Sequence, residues 1–241
     1  MSIRLSPRDM WAVSWLAEQY GAPMNVVADL LGSSETNAYR VVSRWRAAGL
    51  VVRKAIRPVP GPQWVIPTAD AATSLLGFYV QTWIPRPKDS RHLELTARTR
   101  LALAGREVGG EDGWVSERVL RRSDAQRATG FGGQRPHLHD GQWTDGLGRL
   151  HAIEVELTRK SSTDARRAVG AAFTAAKTAG AHSLIYYTAT DEVRDRVITA
   201  AQAVLKPASD DPEFVVKDLN QLLNPQTQPG KGGLFAAGGA A

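Results

Sequence analysis

Three carboxylates gather in a short span of this chain. Asp140 closes the run Pro136-His137-Leu138-His139-Asp140-Gly141, and Glu154 and Glu156 alternate through Ile153-Glu154-Val155-Glu156-Leu157-Thr158-Arg159-Lys160. Side chains on a strand alternate faces, so Glu154 and Glu156 leave one side while Ile153, Val155 and Leu157 leave the other and pack into a core. Neighbouring like charges are costly unless something positive sits against them. An oxygen-rich set of Asp140, Glu154 and Glu156 suits a hard divalent cation, magnesium or manganese, with Asp140 and Glu154 as the metal-binding pair. Such an ion orients and activates water for phosphodiester hydrolysis. The competing reading is a solvated strand face with a nearby Lys or Arg as counter-charge. His137, His139 and His151 lie close by in sequence, and wet strand faces often carry such residues. His139, which abuts Asp140, is the strongest of the three as a base or ligand.

Positioning these acids requires a sheet. Strands are expected at 113–120, 136–143 and 149–158, then a helix at 163–178, a strand at 183–189, a helix at 191–205 and a last strand at 214–217. A helix beginning near Arg91, with Leu93, Leu95, Ala97, Leu101 and Leu103, precedes them and ends at Gly105. An antiparallel meander followed by a βαβ crossover implies a mixed α/β (α+β) sheet with helices on its faces. The glycine-rich segment 123–135 reads as a loop. Its Gly130-Phe131-Gly132-Gly133 lacks the Gly-Lys-Ser/Thr ending of a phosphate-binding loop. The tail beyond Asn224 is low in complexity and reads as disordered.

The first 76 residues have a different pattern. Ser6-Pro7 starts a helix carrying Trp11, Trp15 and Leu16. Met24 to Leu31 forms a second, and Ser33-Ser34-Glu35-Thr36 opens a third with Ala38, Val41, Val42 and Trp45 at helical spacing. The short turn between the second and third resembles helix-turn-helix packing. Two strand-like runs, 50–57 and 63–67, flank a proline- and glycine-rich turn and form a hairpin in the position of a wing. From Ser33 to Arg57 the cations Arg40, Arg44, Arg46, Arg53, Lys54 and Arg57 face a lone acid, Glu35, the imbalance that phosphate contacts require. Double-stranded DNA is the expected partner. Trp64, on the wing, is a candidate DNA contact, whereas Trp11, Trp15 and Trp45 belong to apolar stripes. A helix at 68–76 and a linker at 77–90 complete this domain, leaving 91–223 as the second.

Composition narrows the classes. The 241 residues carry 30 Lys+Arg against 24 Asp+Glu, a net charge of +6 that favours a polyanionic partner. With no cysteine, disulfides, thiolate-ligated zinc and cysteine nucleophiles are excluded. No apolar run is long enough to cross a bilayer, and the first residues lack the apolar core of a signal peptide, so a soluble, cytoplasmic protein with no membrane partner is expected.

With both halves laid out, the chain resembles the replication-relaxation family of actinobacterial plasmids and mobile elements. The markers are the winged helix-turn-helix pattern, Trp114-Val115-Ser116-Glu117-Arg118, His139-Asp140-Gly141 where a Pro-Asp-Gly turn is usual, and Ile153-Glu154-Val155-Glu156. The resemblance, covering about 6–205, implies a restriction-endonuclease-like αβββαβ core of the PD-(D/E)xK type behind the winged helix. By position it makes Asp140 and Glu154 the metal ligands, with the Val155 carbonyl as a third and Glu94 or Glu117 completing the shell. The lysine position falls on Glu156, a departure, because a carboxylate there repels phosphate unless a metal intervenes. Lys160 is the nearest replacement, with Arg159 and Arg166 also near in sequence. The implied activity is metal-assisted nicking or cleavage of DNA through Asp140, Glu154, Glu156 and Lys160. The alternative is a non-enzymatic regulator of transcription or copy number, with a degenerate nuclease core serving dimerisation, as in a homodimer, or partner binding.

Overall fold

In the computed structural model of the protein, which describes residues 4–105, 113–127, 137–206 and 208–224, the first helix starts at a capping box. The Ser6 hydroxyl accepts from the Asp9 amide, the Asp9 carboxylate accepts from the Ser6 amide, and Pro7 takes the first helical position of α1 (Pro7–Glu18). A two-residue strand β1 (Ala22–Pro23) leads into α2 (Met24–Leu30), and Ser34 caps α3 (Glu35–Ala47). The apolar stripes meet in one core containing Trp15, Leu16, Val26, Val27, Val42 and Trp45. Asp9 is buried among them and fastens α1 to α3, accepting from Trp45 Nε1 at 2.8 Å and from Arg44 at 3.1 Å.

The expected hairpin is joined at separate points. Val51 bridges Pro67 and Ile56 bridges Trp64. The second run then turns its other edge inward: β2 (Trp64–Val65) pairs antiparallel with β1. α4 (Ala69–Leu76) follows, capped by Thr68 and ended by Gly77 in the left-handed conformation.

α5 (Pro87–Ala104) begins four residues before Arg91, inside the stretch expected to be a linker, because Pro87 serves as a first-turn proline. It packs in both directions. Ala97 belongs to the core of the first helices, and Leu95 joins the core beneath the sheet. The strand expected at 113–120 is only β3 (Trp114–Ser116), since the Ser116 hydroxyl accepts from the Val119 amide and turns the chain into α6 (Glu117–Arg127). The segment 123–127 is therefore helical, not loop. The remainder of that expected loop, with Gly130-Phe131-Gly132-Gly133, lies outside the described residues, as do 225–241 of the tail.

The order from there is β4 (Gly141–Thr144), β5 (Leu150–Glu156), α7 (Ser162–Thr178), β6 (Ser183–Thr188), α8 (Asp191–Val204), β7 (Glu213–Asp218) and a short α9 (Leu219–Leu223). β4 starts at Gly141, so His137 to His139 are not strand. The five strands form one mixed sheet in sequence order, antiparallel from β3 to β5 and parallel from β5 to β7. α7 and α8 cover one face, with Val169, Ala172, Val197 and Ala201 against Ala152, Leu184 and Tyr186. Leu95 of α5 and Leu219 of α9 cover the other, against Ile153, Val155, Ile185 and Tyr187. The protein is thus mixed α/β, as expected. Among the described residues, no helix is long and apolar enough to cross a membrane.

Candidate functional site

The alternation along β5 is as its sequence dictates. Ile153 and Val155 are buried against α5 and α9. Glu154 and Glu156 take the face of Ala152, in register with Tyr186 and Thr188 of β6. Asp140 precedes β4, and because Gly141 pairs with Ile153, it comes level with Glu154 across the antiparallel ladder. Gly141 has to be glycine: a Cβ there would lie 2.1 Å from Trp114 Cζ2. The indole of β3 thereby lies against the start of β4 and fixes where Asp140 emerges.

Each acid of this nest has its own partner. Asp140 Oδ2 accepts from the Val155 amide at 2.7 Å, and Oδ1 lies 2.8 Å from Nε2 of His92 on α5. Burial opposes charging His92, but Asp140, with Glu154 and Glu156 behind it, outweighs that and brings its pKa up to about 9. Glu154 Oε1 is faced by two imidazoles, His137 Nε2 at 2.7 Å and His139 Nδ1 at 2.9 Å. Burial would raise the Glu154 carboxyl, yet the hydrogen bonds from these rings hold it below the usual carboxylate range. Burial pushes His137 down, but the hydrogen bond and charge of Glu154, with Asp140 behind it, together bring it above its ordinary value. Glu156 is ion-paired with Lys160. Tyr186, in register with Glu154, is raised by burial first and then by the three carboxylates, so its phenol stays protonated.

This geometry tests the expected magnesium or manganese site. A hard ion demands an almost all-oxygen shell. Here Asp140 has one oxygen on a peptide N–H and the other on a protonated imidazole, and Glu154 is faced by ring nitrogens. In this arrangement Asp140 and Glu154 each have partners of their own, which a shared ion would have to displace. Of the other expected shell members, Glu117 binds the Tyr20 hydroxyl and Arg121, and Glu94 pairs with Arg91 and Arg98. Lys160 sits beside Glu156 as expected of a substitute cation, but its charge is spent on that carboxylate. Asp140 and His92 also border an open cleft of about 520 Å³, lined further by Tyr20, Trp83, Arg86 and Glu117.

The cations expected to contact DNA divide into two groups. Arg40, Arg53, Lys54 and Arg57 are exposed, and no described carboxylate pairs with any of them. Arg44 is drawn back to Asp9, and Arg46 is half-buried, with its Nε lacking a hydrogen-bond partner among the described residues. α3 buries Ala38, Val42 and Trp45 and leaves Arg40 and Arg44 outward. Trp64 is not available to DNA: pairing of β2 with β1 buries it to 4% exposure against Ile56 and Ile66. Outside this region, Arg167 pairs with Asp164 and Lys177 with Asp211.

Two functional-looking residues had no sequence signal. His92 is 48 positions from Asp140 and meets it only because α5 packs across the sheet. Asp9 reads as an ordinary first-turn acid, yet it ties α1 to α3. His137 was visible only as a neighbour of the acids. No family model, curated protein or solved structure matches the chain.

Proposed function

We propose that the protein binds duplex DNA through a winged helix-turn-helix, with α3 and the 53–57 segment toward the phosphates, and carries a PD-(D/E)xK-like core behind it. On this reading it is a protein of the replication-relaxation kind, serving a plasmid or other mobile element. The observation that supports it most is the set of four exposed cations, Arg40, Arg53, Lys54 and Arg57, left without carboxylate partners on and beside α3. Unneutralised cations on a helix-turn-helix are what a polyanion engages. The order helix, three antiparallel strands, helix and parallel strand from α5 to β6, interrupted only by α6, supports the nuclease-like core.

The direct test is fluorescence anisotropy of a labelled duplex titrated with the full chain. Saturable binding that weakens with salt is expected, and no binding at low salt would refute the proposal. A second reading, that the core also nicks DNA, is favoured by Asp140 and Glu154 standing level across the β4–β5 ladder on a core of this topology. Conversion of supercoiled plasmid to open circle, abolished by EDTA and by Asp140→Ala or Glu154→Ala with binding retained, is its expected outcome. Intact plasmid with every divalent metal leaves a non-enzymatic regulator.

A further inference from the structure

Asp140, Glu154 and Glu156 are each held by different partners. Asp140 has His92 and Glu156 has Lys160. Glu154 instead has two imidazoles, each directing one ring nitrogen at the same oxygen, Oε1. Its side chain is 13% exposed and that of His139 only 2%. The other nitrogen of His139, Nε2, is buried with no hydrogen-bond partner among the described residues. Nδ1 is thus the nitrogen through which this ring meets a polar partner, the Glu154 carboxylate. One ligand atom each from His137, His139 and Glu154 lies within 4.8 Å of the other two.

We propose that His137, His139 and Glu154 form a binding site for a first-row transition-metal dication of the zinc or cobalt type. Two imidazole nitrogens and one carboxylate oxygen form a donor set that such ions accept and that magnesium and calcium do not prefer. The nitrogen-to-oxygen separations of 2.7 and 2.9 Å need to open by about half an ångström, since ligands bonded at about 2.0–2.1 Å in a tetrahedral shell lie roughly 3.3 Å apart. An ion there would replace the two ring-to-carboxylate hydrogen bonds with metal bonds, the protons on those ring nitrogens being released to water. Three protein ligands leave a position for water or a phosphate oxygen, the count found in catalytic rather than purely structural zinc sites. The site departs from the Asp140–Glu154 oxygen pair that the family resemblance implies, and it does not depend on the DNA reading.

The test uses the full chain stripped of metal. Titration with cobalt(II), followed by visible absorption, and with zinc, followed by calorimetry, should show one ion per chain, retained against millimolar magnesium. His137→Ala, which alters a partly exposed ring, and the near-isosteric Glu154→Gln should each weaken uptake at least about 100-fold, since even outer-shell changes cost 10- to 100-fold. Far-UV circular dichroism should remain that of the wild type, and if one variant fails to fold the other decides. Uptake below one equivalent by the folded wild type, displacement by magnesium, or wild-type affinity in a folded variant would overturn the proposal. Duplex binding measured in parallel should be the same with and without the ion, so loss of the metal site and loss of the DNA reading are separate outcomes.

Discussion

Replacing Arg40, Arg53, Lys54 and Arg57 together by Ala tests the DNA reading quantitatively. All four are exposed and none pairs with a described carboxylate, so their removal breaks no ion pair of the fold. Each cation that neutralises a phosphate steepens the slope of log K against log salt by about 0.9, so four contacts account for a slope of about 3.6. Between 50 and 200 mM salt, a fourfold change, those contacts alone correspond to a loss of about 150-fold in affinity. The quadruple variant should therefore bind more weakly at low salt and fall off much less as salt rises, measured by anisotropy on one duplex at several salt concentrations. Arg44→Ala is the internal control. Its guanidinium is held by Asp9, so the change should lower stability and leave the slope nearly as it was. If the quadruple variant and the wild type have slopes within about one of each other, these cations do not lie on phosphates and the assignment is wrong.

Three further outcomes follow from the packing. Asp9→Ala removes the acceptor of the Ser6 amide, one half of the α1 capping box, and leaves the buried Trp45 N–H without its acceptor, which should cost about 2–4 kcal/mol by urea denaturation. Gly141→Ala forces a methyl group into the Trp114 ring, displacing the indole and the start of β4. A loss of about 1–3 kcal/mol with altered tryptophan fluorescence is expected. The His92–Asp140 pair gives a pH dependence of defined sign. Because the folded pKa of His92 stands at about 9, above its ordinary 6.5, its stabilisation is complete below about pH 6.5 and is lost as pH rises through about 9. Melting temperature should fall across that window, and His92→Gln should flatten the fall.

The chain's local signals and its tertiary contacts decided different things. Alternation along 153–157 put Glu154 and Glu156 on one face, and Ser6-Pro7, Ser34 and Thr68 marked helix starts. These depend on strand geometry and on hydrogen bonds a few residues long, so they are legible without a fold. The i,i+4 neighbour Lys160 was legible for the same reason. Position 117 was not, because Trp-Val-Ser reads as strand whether the chain continues extended or is turned by the Ser116 hydroxyl. Trp64 reads as a wing residue open to DNA, but β1, some forty residues earlier, pairs with its strand and buries it. Which partner each acid receives was likewise settled at long range. His92 reaches Asp140 because α5 crosses the sheet, and His137 and His139 reach Glu154 because the chain entering β4 runs antiparallel to β5. Residue type and spacing determined where carboxylates could gather. Only the packing of distant elements decided that Glu154 lies among imidazoles, because that pairing depends on which segments share a buried surface rather than on neighbours along the chain.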